Sequence, residues 1–226
     1  MPEINFLEIE TAPRPSVAVI WMHGLGADGT DFEPVVPELG LASAPAVRFV
    51  FPHAPYQPVT CNGGYVMRAW YDIVSLEPDS REIDETGLLA SRALIRGLIA
   101  REVGRGIPSH RIFLAGFSQG GAVAYLTALT HPEPLAGVIG LSTYIPAPEL
   151  ITRELAEANR GIPIFAAHGS EDDVVAPGLG LQALELLRSL DLAPDWHVYP
   201  MPHAVCPQEI ADIAAWFKGR LDALPA

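Results

Sequence analysis

The chain is poor in cysteine, in positive charge and in long apolar runs, and each shortage excludes something. Cys61 and Cys206 are the two cysteines among 226 residues, with no CxxC pair. Two thiols are too few for a disulfide scaffold or a thiolate metal site, and they read as ordinary thiols of a reducing compartment. Fourteen Lys and Arg stand against 27 Asp and Glu, a formal net charge of −13. Binding DNA or RNA needs a clustered basic face, so no nucleic-acid partner is expected, and anionic membrane surfaces are disfavoured for the same reason. Nothing approaches 18 consecutive apolar residues, so stable membrane insertion is not expected. The first ten residues, MPEINFLEIE, carry acids where a signal peptide needs a basic start and an apolar stretch. These points lead to the expectation of a cytoplasmic protein.

What the chain does have is apolar material. Hydrophobic residues make up 49% and charged residues 18%, enough to bury a large core within a single domain spanning 1–226. The 20 glycines and 22 prolines are scattered, which suits many tight turns better than disorder. Short β-rich runs alternate with helical patterns throughout. Strands are expected at Ile4–Glu10, Ser16–His23, Ala46–Pro52, Arg111–Phe117, Leu135–Ser142, Ile162–His168 and Asp195–Met201. Several are continuously apolar, as in Val17-Ala18-Val19-Ile20-Trp21, the mark of strands buried on both faces. Helices are expected over 84–103, 119–130, 179–190 and 207–222, the second apolar all round and therefore central. This alternation specifies an α/β fold, a mostly parallel sheet with helices on both faces.

From His53 to Glu82, no helix or strand of any length is evident. Loops this long inside a compact domain are usually functional or disordered, and this one is too aromatic for disorder. Tyr65, Met67, Trp70 and Ile73 either cover an edge of the core or line a substrate site.

Gly24-Leu25-Gly26-Ala27-Asp28-Gly29 fits the dinucleotide fingerprint G-x-G-x-x-G directly after a buried strand. Its context is wrong, however. Pro34 and Pro37 interrupt the helix that should follow, Asp28 would face the pyrophosphate, and the next strand ends in Phe51-Pro52-His53 rather than in an acid. No cofactor is expected.

Gly116-Phe117-Ser118-Gln119-Gly120 fits G-x-S-x-G, with a strand running in and an apolar helix running out. A nucleophilic serine needs that arrangement, because the strand-to-helix turn strains its backbone and neighbouring glycines remove the Cβ atoms that would clash. The alternative is a glycine-rich turn with an idle serine. Ser118 as nucleophile needs a base oriented by an acid, and in such folds they follow in the order Ser, acid, His. His203, between the last strand and the final helix, is the base. The acid lies in Glu171-Asp172-Asp173 after the strand ending at His168, and spacing alone does not choose among the three. Two backbone N–H groups must receive the oxyanion. One is that of Gln119, after the nucleophile, and the other that of Leu25 in the early glycine loop.

With these residues in place, the chain resembles the carboxylesterase/acyl-protein thioesterase family, also called the phospholipase/carboxylesterase family, of α/β-hydrolases. The similar blocks include His23-Gly24-Leu25-Gly26, Trp70-Tyr71-Asp72, Gly116-Phe117-Ser118-Gln119-Gly120-Gly121, Leu141-Ser142-Thr143-Tyr144 and His168-Gly169 through Val175. The resemblance implies Asp172 as the acid, four residues after His168, supports Leu25 and Gln119 as the oxyanion pair, and puts part of the acyl pocket near Trp70. It departs at one place: Pro202 stands before His203 where the family commonly has glycine, which bears on the path of that loop. Only 54 residues separate Ser118 from Asp172, so no large cap domain fits there. The expectation is a serine esterase for short to medium acyl chains, acting on a small-molecule ester or thioester without metal or cofactor. Thioesterase or lysophospholipase preference is the alternative within hydrolases, and a non-catalytic ligand-binding module is the alternative outside them. The resemblance also admits a homodimer.

Overall fold

A computed structural model describes residues 4–77 and 80–224. Met1 to Glu3 of the N-terminal segment, and residues 78–79 of the 53–82 stretch, lie outside the described residues. Strand β1 (Phe6–Glu10) is followed by β2 (Val17–Met22), a four-residue helix α1 (Val35–Glu38) and β3 (Val47–Pro52). Four short strands come next: β4 (Tyr56–Val59), β5 (Tyr65–Arg68), β6 (Ile73–Glu77) and β7 (Ser80–Ile83). The long helix α2 (Glu85–Gly104) leads to β8 (Ile112–Phe117), α3 (Gln119–Leu129) and β9 (Gly137–Leu141). Helix α4 (Pro148–Glu154), β10 (Ile164–Gly169), α5 (Pro177–Ser189), β11 (Asp195–Tyr199) and α6 (Pro207–Asp222) complete the order.

Seven strands form one sheet in the order β1-β3-β2-β8-β9-β10-β11, parallel except for β1. Every residue of β2 and β3 is buried. Their alternate side chains enter different cores, as the twofold strand period requires. Ala18, Ile20 and Met22 pack with Leu88, Ile95 and the apolar side chains of α3 on one face. Val17, Val19 and Trp21 pack with α1, Phe217 and Leu221 on the other. The result is the α/β-hydrolase architecture, and the segment between β9 and β10 holds only α4 and one short helical turn.

Helix starts follow the local chemistry. The Asp84 side chain caps α2 through Thr86 N at 3.0 Å, while Pro148, Pro177 and Pro207 open α4, α5 and α6, where a missing N–H costs nothing. The antiparallel edge strand β1 is tied to α2 by charge: buried Arg48 bonds Glu102 at 2.7 Å and Glu10 at 2.9 Å.

The 53–82 stretch differs from expectation. It folds into two antiparallel hairpins, β4–β5 and β6–β7, packed outside the main sheet. Their strands are four or five residues long, β4 contains Pro58, and much of β5 faces solvent, so they lack the apolar runs of central strands. Among the described residues, no helix is long and apolar enough to cross a membrane.

Candidate active site

Four loops meet at the carboxyl edge of the sheet, where its topology switches between β2 and β8. They follow β2, β8, β10 and β11 and carry Leu25, Ser118, Asp172 and His203.

Ser118 joins β8 to α3 with φ 52° and ψ −121°, a sparsely populated conformation costing of order 1–3 kcal/mol. Its surroundings over-determine that geometry. Ser118 N donates to Leu141 O at 2.9 Å, and Thr143 Oγ1 donates to Ser118 O at 2.6 Å. A Cβ on Gly116 would overlap the Gly120 carbonyl and lie 2.5 Å from Gly121 N, while one on Gly120 would meet Met22 O and lie 2.5 Å from His23 O. The glycines let β8, α3 and the β2 loop touch. Ser118 Oγ has no hydrogen-bond partner among the described residues.

His203 is the central residue of a tight turn closed by Ala204 N donating to Pro202 O at 2.8 Å. Proline at 202 is compatible with that turn, and the imidazole still reaches the acid loop. His203 Nδ1 lies 2.7 Å from Asp172 Oδ2. Asp172 Oδ1 accepts from Val174 N at 2.9 Å and Val175 N at 2.8 Å. Burial alone would raise this carboxyl, but the His203 bond and the two N–H donors outweigh it and hold Asp172 below the usual carboxylate range. Glu171 and Asp173 are exposed. Of the three carboxyls that spacing left open, Asp172 alone turns inward to the histidine. Gly169 keeps the two loops together, since a Cβ there would stand 2.7 Å from Pro202 O.

The early glycine loop is held from behind. His23 is buried, and its Nε2 accepts from Ala54 N at 3.0 Å, so the proton sits on Nδ1, which donates to Gly24 O at 2.7 Å. Burial pushes its pKa down to about 4, which keeps the ring neutral. Gly26 takes φ 79°, where a side chain is strained, and its N–H bonds Arg68 O at 2.8 Å. The N–H groups of Leu25 and of Gln119, the latter at the first position of α3, have no partner among the described residues.

Ser118 and His203 open into one cavity of about 290 Å³. Its apolar walls are Leu25, Ile73, Leu76, Phe117, Val174 and Val175, with Tyr144 and Arg81 among its polar groups. Of the four residues expected to line a substrate site, Ile73 borders this cavity. The other three lie elsewhere. Tyr65 is 69% exposed on the β4–β5 hairpin. Met67 sits behind the glycine loop, its sulfur 3.6 Å from where a Gly26 Cβ would lie. Trp70 is buried, and its indole N–H donates to His23 O at 2.9 Å. Its backbone N–H donates to the Gln119 side chain at 2.8 Å, and Gln119 Nε2 reaches Tyr71 O at 2.7 Å. Trp70 braces the early glycine loop rather than bordering the cavity. Leu76, on the short strand β6, and Val174, in the loop after β10, were not anticipated, since neither belongs to an apolar run or periodic pattern. Tyr144 was marked only as part of the Leu141–Tyr144 block of the family resemblance.

Comparison with known proteins finds similar chains. Residues 5–219 match the family described as phospholipase/carboxylesterase. An acyl-protein thioesterase 1 of Mycosarcoma maydis is 40% identical over 219 residues, covering 91% of each chain. One of Cryptococcus neoformans is 38% identical over 234 residues, 96% of this chain and 98% of that one. Among solved structures, Arabidopsis thaliana SOBER1 superposes with a TM-score of 0.84 at 32% identity, covering 91% of this chain and 99% of that one. Esterase PE8 gives 0.82 at 26% identity, covering 96% of this chain and 99% of that one.

Proposed function

The chain belongs to the phospholipase/carboxylesterase family of α/β-hydrolases and is a serine hydrolase acting on esters or thioesters, and from that premise we propose a carboxylesterase for short to medium acyl chains. The observation that carries this reading is the junction of one strained serine, one Asp-bonded histidine and one largely apolar cavity.

In the proposed cycle His203 takes the Ser118 proton as Oγ attacks the acyl carbonyl. Asp172 holds the imidazole with its proton on Nδ1 and stabilises the cation that forms. The free N–H groups of Leu25 and Gln119 receive the oxyanion, a contribution of about 3–4 kcal/mol per donor in related chemistry. His203 then protonates the leaving oxygen or sulfur, and water repeats the sequence on the acyl-enzyme. A cavity walled by Ile73, Leu76 and Val174 favours a modest apolar chain.

The second reading is thioesterase activity, supported by two relatives that carry the name acyl-protein thioesterase 1. Matched octanoyl oxygen and sulfur esters distinguish the two. Higher kcat/KM on the oxygen ester supports the carboxylesterase reading, and higher kcat/KM on the thioester replaces it. A fluorophosphonate probe should label Ser118 in the folded protein, and an unlabelled Ser118 ends both readings.

A further inference from the structure

Arg81 stands on β7, far from the catalytic loops in sequence, yet one of its guanidinium nitrogens donates to Val174 O at 2.6 Å. That carbonyl belongs to the peptide joining Val174 to Val175. The N–H of the same peptide donates to Asp172 Oδ1 at 2.8 Å. The other oxygen of Asp172 meets His203 Nδ1 at 2.7 Å. A cation, one peptide group, a carboxylate and an imidazole therefore stand in an unbroken line of hydrogen bonds. A positive group on a peptide oxygen polarises the amide and makes its N–H a stronger donor, and such chains reinforce one another in a low-dielectric surrounding.

We propose that Arg81 is a positioning residue for the Asp172–His203 pair, acting through the Val174–Val175 peptide. The inference rests on reading Asp172 as the catalytic acid. The loop needs such a fastening. Val174 is 53% exposed, so core packing does little to fix its peptide. The Asp172 side chain, by contrast, is wholly buried and depends on fixed donors to remain ionised. The next carbonyl, Val175 O, is held by His168 Nε2 at 2.8 Å. Arg81 and His168 thus pin two consecutive carbonyls, and the N–H groups of the same residues are aimed at one carboxylate oxygen. The β6–β7 hairpin acquires a purpose beyond walling the cavity.

A wall residue and a positioning residue differ in what they change. Loss of wall alters KM and does so according to acyl length, whereas loss of positioning lowers kcat alike for every substrate and vanishes once the acid is gone. Arg81→Met and Arg81→Lys, each alone and combined with Asp172→Asn, are compared on p-nitrophenyl acetate and octanoate. Arg81→Met should lower kcat about tenfold on both esters with KM changed less than about twofold, and Arg81→Lys, which keeps one charged donor, should recover part of the loss. In the Asp172→Asn background Arg81→Met should subtract less than about a further twofold. Equal effects in the two backgrounds, or a loss confined to KM on the longer ester, overturn the proposal. If Arg81→Met does not fold, the same cycle is read with Arg81→Lys, where an additive loss overturns it equally. Loss on Asp172→Asn with none on either Arg81 variant sinks the positioning role alone. Full activity of Asp172→Asn sinks the acid assignment and the positioning role with it.

Discussion

Asp172 and His203 lie 31 residues apart in the chain, yet their side chains meet at 2.7 Å with the carboxylate fully buried. The neighbouring Asp173 is exposed. Asp172→Asn should therefore lower kcat by about a thousandfold or more, because an amide no longer selects the tautomer that leaves Nε2 basic. Asp173→Asn should change kcat less than about twofold. Steady-state kinetics on p-nitrophenyl butyrate compare them, and a larger loss for Asp173→Asn reverses the assignment.

The elbow tolerates no side chain at Gly120, where a Cβ would meet Met22 O and lie 2.5 Å from His23 O. Those are backbone atoms of the central strand and of the glycine loop after it, so they cannot turn aside. Gly120→Ala should destabilise the fold by about 3 kcal/mol or more and remove activity with it. Gly104→Ala, at the end of α2 with nothing within 4 Å of the added Cβ, should leave the thermal midpoint within a few degrees of the parent. Thermal unfolding followed by circular dichroism measures both, and a Gly120→Ala protein as stable as the parent contradicts the close approach.

Cavity walls and braces should separate kinetically. Ile73→Ala and Leu76→Ala enlarge the cavity and should move the preferred acyl chain to greater length. Trp70→Phe keeps the buried ring but removes the N–H that bonds His23 O, leaving that carbonyl unsatisfied at about 1–3 kcal/mol. It should lower kcat similarly for every chain length. Tyr65→Ala should do neither. A chain-length shift on Trp70→Phe restores Trp70 to the acyl pocket.

These contrasts mark how far the sequence could be read. The inner strands of the main sheet were legible because burial on both faces writes them as largely apolar runs, as in Val17–Met22, while the partly exposed edge strands Phe6–Glu10 and Asp195–Tyr199 showed only as short β-rich runs. Ser118 and His203 drew attention because each lies in a loop after a strand of the sheet, with glycines marking the serine's turn. The hairpins were not, because Tyr56–Val59 and Tyr65–Arg68 expose half their residues and carry no apolar face. Asp172 could not be told from Asp173 by spacing, since adjacent loop residues point in directions fixed only by the folded backbone. Trp70 misled for a related reason: a large aromatic in a long loop reads alike whether it lines a cavity or braces a loop.

Two buried groups should give stability opposite responses to pH. Burial lowers His23 from 6.5 to about 4. As pH falls from about 6.5 toward 4, the unfolded chain takes a proton that the folded state refuses, so stability declines by at most about 3 kcal/mol. Glu209, in the first turn of α6 with no hydrogen-bond partner for either side-chain oxygen among the described residues, is raised by burial from 4.5 to about 8. Here the folded state keeps a proton that the unfolded chain releases. Its contribution is complete below about 4.5 and disappears as pH climbs through 8, a decline of at most about 4–5 kcal/mol. Glu209→Gln removes the titration while nearly preserving shape, and any fixed penalty of the buried amide is independent of pH. The stability of Glu209→Gln relative to the parent should therefore rise steadily between pH 5 and pH 9. Urea unfolding at pH 5, 7 and 9 reads this directly, and a difference that stays constant across the three would show that Glu209 is already ionised in the folded protein at pH 5.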